Sequence, residues 1–119
     1  MTTVTSGEIL NVSGGKTSIG IIVLSGGTLN VLSGGTISNT ANVGGRDISY
    51  SGGSAFATVV TDNGSETVSG TAISTTVSNG GTEFVSSGGT ISGTVVGTGG
   101  QDVIYAGGRA FVTSVTNLV

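Results

Sequence analysis

Residues 80–108 read GGTEFVSSGGTISGTVVGTGGQDVIYAGG, a phrase said nearly twice. A Gly-Gly pair leads into a short run, a second pair follows, then a longer run, and the pattern restarts. Working outward, the first doublets of successive units end at Gly27, Gly45, Gly81 and Gly100, with single Gly7 and Gly64 standing in elsewhere. The second doublets end at Gly15, Gly35, Gly53, Gly89 and Gly108, with Gly70 in the remaining unit. Doublets within a unit lie about 8 residues apart, and units recur roughly every 17–20 residues. About six units, starting near Ser6, Ser25, Val43, Asp62, Asn79 and Thr98, cover residues 1–119 as one repeat domain.

The runs between the doublets are built like strands. The first runs are TLNVL (28–32), RDISY (46–50), SETV (65–68), TEFV (82–85) and QDVIY (101–105). The second runs are longer, such as TISNTANV (36–43) and SAFATVV (54–60). Both are rich in Thr, Val, Ile and aromatics with partial alternation. Helical periodicity is missing, and glycine every few residues would cost a helix about 1 kcal/mol each time. Short strands punctuated by Gly-Gly at a fixed period describe the coils of a β-solenoid. Glycine belongs at the corners, where the backbone takes positive φ and coils pass closely. A sandwich of hairpins closed by Gly-Gly is the alternative all-β reading.

Coils spaced ~4.8 Å apart stack like residues in columns. Ile37, Ala55, Ala72, Ile91 and Ala110 form one column, expected inside, and Val60, Val77, Val96 and Val115 form another. Thr40, Thr58, Thr75, Thr94 and Thr113 form a third, a ladder of hydroxyls that satisfy one another or serve as glycan acceptors. Asp47, Glu66, Glu83 and Asp102 form a fourth, each the second residue after a corner. This acidic ladder is expected to face solvent, where it discourages edge-on aggregation. Two other uses fit the spacing: a weak cation site and a glycosidase-like pair. Repetition makes the four acids look equivalent, which disfavours a differentiated catalytic pair.

Composition removes most other chemistry. The 119 residues include 24 glycines and no proline, cysteine or histidine, and only 8% are charged. Without Cys or His, the usual zinc, haem and iron–sulfur ligands are missing, and serine has no imidazole base. No cofactor and no catalytic residue are expected. Only Lys16, Arg46 and Arg109 are basic and net charge is −3, so no basic stripe awaits nucleic acid. The longest apolar run, IGIIVL (19–24), is far short of the ~20 residues of a spanning helix, so no membrane insertion is expected. MTTVTSGEIL (1–10) has no basic n-region or apolar h-region, so this stretch carries no Sec-type signal.

Motif fragments do not complete themselves. GGRD (44–47) and GGQD (99–102) lack the third glycine of a calcium-binding nonapeptide and place the acid one residue early. DNGSE (62–66) ends too soon for an EF-hand, and GGKTS (14–18) lacks the upstream glycine of a phosphate loop. Lys16 therefore reads as an exposed corner residue. Ser38, Phe56, Ile73, Ser92 and Phe111 precede the threonines by two, which spoils a Thr-x-Thr ice-binding face. The few aromatics (Tyr50, Phe56, Phe84, Tyr105, Phe111) read as core or corner packing rather than a sugar-stacking platform.

The units SNGGTEFVSSGGTISGTVV (78–96) and GTGGQDVIYAGGRAFVTSV (97–115) resemble the passenger repeats of AIDA-type autotransporter adhesins. The resemblance covers the whole chain, weakest at 1–24 and in the shortened unit 62–78. It implies a right-handed single-stranded β-helix, display at the cell surface or in the extracellular matrix, and adhesive, autoaggregating or biofilm roles. It also implies sugars on repeat serines and threonines. The chain lacks the signal peptide and membrane barrel of a full autotransporter. The expected function is a rigid stalk or an adhesive, self-associating surface, with host or bacterial glycans and proteins as partners. A second reading is a stand-alone subunit that polymerises head-to-tail, since the sequence shows no polar cap and a filament follows from a contact that does not close. That reading leaves a cytoplasmic filament open. A polysaccharide-cleaving β-helix is the enzyme alternative, disfavoured by the missing His.

Overall fold

The computed structural model describes residues 2–111 and 113–116. Nineteen short strands, numbered β1–β19 in chain order, form three parallel sheets that wrap as a β-solenoid of about six coils. The first sheet runs β1 (Thr3–Val4), β4 (Ile22–Leu24), β7 (Ala41–Val43), β10 (Val59–Thr61), β13 (Thr76–Val77), β16 (Val95–Val96) and β19 (Ser114–Val115). The second holds β2 (Ile9–Val12), β5 (Thr28–Val31), β8 (Arg46–Ser49), β11 (Ser65–Val68), β14 (Thr82–Val85) and β17 (Gln101–Ile104). The third holds β3 (Thr17–Ile19), β6 (Thr36–Ser38), β9 (Ser54–Phe56), β12 (Thr71–Ile73), β15 (Thr90–Ser92) and β18 (Arg109–Phe111). Every pairing between the named strands is parallel and in register, as in Glu66 opposite Glu83 and Ala72 opposite Ile91.

The two glycines of a doublet answer two different demands. At the Leu24–Gly27 corner the Gly27 N–H donates to the Leu24 carbonyl, closing a turn with Gly26 at φ +83°. That is the third position of a type II turn, which wants glycine. The second glycine answers crowding. A side chain on Gly35 would run into the Val12 carbonyl of the coil beside it. Corners also bond from coil to coil: the Gly34 N–H reaches the Gly52 carbonyl at 3.0 Å.

Each coil has three strands where the sequence suggests two. The longer second run breaks after its third residue, at Asn39 (φ 56°), Ala57 (φ 57°), Ser74 (φ 61°) and Gly93 (φ 69°). Gly20 (φ 76°) makes the same bend in the first coil, and only Ala57 and Ser74 bend where the residue type gives no sign of it.

The core is thin and columnar. Ile37, Ala55, Ala72 and Ile91 are buried, as are Val60, Val77 and Val96, in line with their expected interior placement. In the sixth coil the same columns come to the surface: Ala110 is exposed, and Val115 is 68% exposed.

Candidate functional site: an interior column of acids and threonines

The strands of the second sheet alternate in and out, most clearly in β5, β8, β11 and β14, and their second residue points inward. In the second sheet that position is occupied in order by Leu10, Leu29, Asp47, Glu66, Glu83 and Asp102, paired in register from coil to coil. The expected outward acidic ladder is therefore corrected. Asp47, Glu66 and Glu83 have no exposed surface at all, and both carboxyl oxygens of Asp102 are covered. The physical reason is parity. The residue after each corner (Arg46, Ser65, Thr82, Gln101) faces out, which sends the next one in.

The threonine column is inside as well. Thr40, Thr58, Thr75 and Thr94 are buried, while Thr113 in the last coil is exposed. Four of the five expected glycan acceptors thus present no hydroxyl to an enzyme on the folded chain, and this column offers no face to ice. The two columns meet across the interior. Thr75 Oγ1 donates to Glu66 Oε1 at 3.2 Å, and Thr94 Oγ1 donates to Glu83 Oε1 at 3.3 Å. In the coil before them the acid is Asp47, one methylene shorter. Thr58 Oγ1 and both Asp47 oxygens are left without a partner, as are Thr40 Oγ1, Glu66 Oε2 and Glu83 Oε2.

Carboxyls so placed resist ionisation, because burial penalises the charged form and stacked like charges repel. Burial pushes Asp47 up to about 7, offset only in part by the neighbouring Glu66 carboxyl. Burial, and then the charge of Asp47, pushes Glu66 up to about 8. Burial, and then the charge of Glu66, pushes Glu83 up to about 9, and burial raises Asp102 too. A neutral carboxyl also has an O–H to donate, which gives an orphaned oxygen of the next coil a partner. The arrangement can hold protons in a file. Among the described residues, no three acidic side chains converge to hold a metal ion. Two shallow concavities lie on the surface, one at Thr2–Val4 and Glu8–Leu10, the other around Arg46 and Asn63. Neither is lined by the buried acids.

Sequence reasoning missed Asn42 and Ser49. Asn42 stands where its neighbours in the column are Val23 and Val60, and it is fully buried. Its amide donates to the Ser65 carbonyl at 2.8 Å, and its Oδ1 accepts from the Gly45 N–H at 2.9 Å. Ser49, between Val31 and Val68, is buried with an unpartnered hydroxyl. The signal for both was a polar residue in an otherwise valine column.

The outer surface carries the rest. Lys16, Arg46 and Arg109 are exposed, Lys16 at the corner expected of it. The aromatics are not in the core: Tyr50, Phe56, Tyr105 and Phe111 are exposed, and half-buried Phe84 stacks on Tyr105 with ring centroids 6.3 Å apart. Outward positions of the first sheet (Ile22, Ala41, Val59, Thr76, Val95, Ser114) carry no charge.

No protein-family model and no curated protein matches the chain. Among solved structures it is similar to the crystal structure of a TibC-catalysed hyper-glycosylated TibA55-350 fragment, with 29% identity and a TM-score of 0.55. The match covers 94% of this chain and 57% of that one, so the chain spans little more than half the length of its structural neighbour. This likeness, together with the coil architecture, supports autotransporter-adhesin-like passenger repeats at a coarse level.

Proposed function

We propose that this chain is a structural module of a bacterial cell-surface or extracellular matrix protein, a stiff rod that presents its long faces for adhesion or self-association. The observation that carries the reading is the unbroken register of three parallel sheets from the first coil to the last. Such a ladder makes length and flat repetitive faces, and it offers no cleft over its one unusual set of side chains. The likeness to the TibA fragment supports the same reading. Surface placement comes with it; among the described residues no helix is long and apolar enough to cross a membrane, which says nothing of a β-barrel. Sugars, in this reading, go on exposed corner serines such as Ser25, Ser33, Ser51 and Ser87, not on the buried threonines.

Beads coated with the purified chain, mixed with cultured cells and with one another, test this directly. Clumping or cell attachment is expected, with a compact monomer in sedimentation velocity at high dilution. Beads that neither clump nor attach at any coating density would remove the adhesive role. Filaments in the electron microscope with an axial repeat near ~29 Å, six coil spacings, would move the function to head-to-tail assembly.

A further inference from the structure

We propose that the interior carboxyl column is a proton-operated lock, clamping the solenoid while Asp47, Glu66 and Glu83 are neutral and loosening it when they ionise. Three acids lie in register on successive coils, ~4.8 Å apart, with no exposed surface. Asp102 continues the column at the next coil.

Nothing opposite them carries charge. The third sheet contributes Ala55, Ala72 and Ile91 to the interior, and the first contributes Val60, Val77 and Val96. The bends between these sheets contribute Thr58, Thr75 and Thr94, whose hydroxyls are neutral. The column's lower neighbour is Leu29. All three basic side chains are exposed; Arg46, adjacent to Asp47 in sequence, faces the opposite way. An ionised carboxylate here is cut off from solvent and has no counterion beside it, and its nearest ionisable neighbour is another acid. Neutral, the acids close the hydrogen-bond file; charged, they repel along its length.

The direction of the effect follows from linkage. The folded values of about 7, 8 and 9 lie above the ordinary carboxylate values of 3.8 and 4.5. The unfolded chain releases these protons from about pH 4 upward while the folded chain keeps them. The stability these three acids contribute is therefore full below about pH 4, declines as pH rises, and is gone once pH has passed through the window from 7 to 9. This is the reverse of ordinary acid denaturation. The column makes the rod an acid-favouring one, irrespective of what its faces bind.

Thermal melting of the whole chain from pH 4 to pH 10 tests the lock. The midpoint is expected to fall by more than ~10 °C between pH 5 and pH 9. A triple variant with Asp47→Asn, Glu66→Gln and Glu83→Gln keeps shape without a titrating proton, and its midpoint is expected to stay flat over that range. A flat wild-type profile, or an equal fall in the variant, would overturn the proposal. Carboxyl carbon NMR of the wild-type chain decides the matter even if the variant does not fold. Resonances of these acids that titrate above pH 6 support the lock, and titration near pH 4 removes it.

Discussion

At the scale of single residues, the corners separate two kinds of glycine that look identical in the sequence. Gly88 has φ +86° and open space where a side chain would go, whereas Gly35 would drive a methyl into the Val12 backbone. Gly88→Ala should therefore cost only its left-handed conformation, about 1–2 kcal/mol. Gly35→Ala must shift backbone between two coils, and a loss of more than ~3 kcal/mol is expected, read from urea unfolding of both variants. The bends invert the logic, because there an ordinary residue occupies a glycine's place. Ala57 holds φ 57° where Gly93 sits two coils on. Ala57→Gly should relieve that strain, partly offset by glycine's greater unfolded freedom, and raise stability by about 0.5–1 kcal/mol. An unfolding midpoint that does not rise would mean that the Ala57 conformation is not strained. The glycine doublets were legible because glycine meets both demands at least cost, with Asn63 (φ 65°) the substitute at one corner. The bends were not, because Ala57 and Ser74 obey tertiary context against their own preference.

At the scale of elements, the coil around Gly44 is one residue short. Val43 leads straight into Gly44-Gly45, where the preceding coil has Leu24, Ser25, Gly26 and Gly27. Asn42 mends the corner with its own amide, taking the Gly45 N–H and the Ser65 carbonyl. Asn42→Val would match Val23 and Val60 in the column. It should nonetheless destabilise by about 1–3 kcal/mol, because two buried backbone groups lose their partner. Equal or greater stability in chemical denaturation would show that the corner is satisfied another way. The acids were misplaced at this same scale. Charged side chains are rarely buried unpaired, and the outward apolar Ile48 and Phe84, with the inward polar Ser49, blur the parity of the strands that carry the acids. Only register with Leu10 and Leu29, known once coils are aligned strand by strand, tells in from out. The aligned columns of Ala, Ile and Val were legible for the same reason in reverse, since one apolar type recurred at one position.

At the scale of the whole molecule, each coil touches only the coils beside it, so stability is a chain of neighbour terms. The coil-to-coil hydrogen bonds, such as Gly34 N–H to Gly52 and Gly80 N–H to Gly99, run along the stacking direction. Tension applied between the two ends therefore pulls those bonds open one rung at a time, as a zipper, and not all together in shear. A coil that occupies ~4.8 Å of the rod holds enough chain to span roughly 60 Å when drawn straight. Single-molecule stretching should show successive low-force steps of about that length, and a single high-force rupture of the entire rod would contradict it. A tether made this way yields under load by paying out chain a coil at a time, absorbing work that a stiffer attachment would pass on to the bond at its tip.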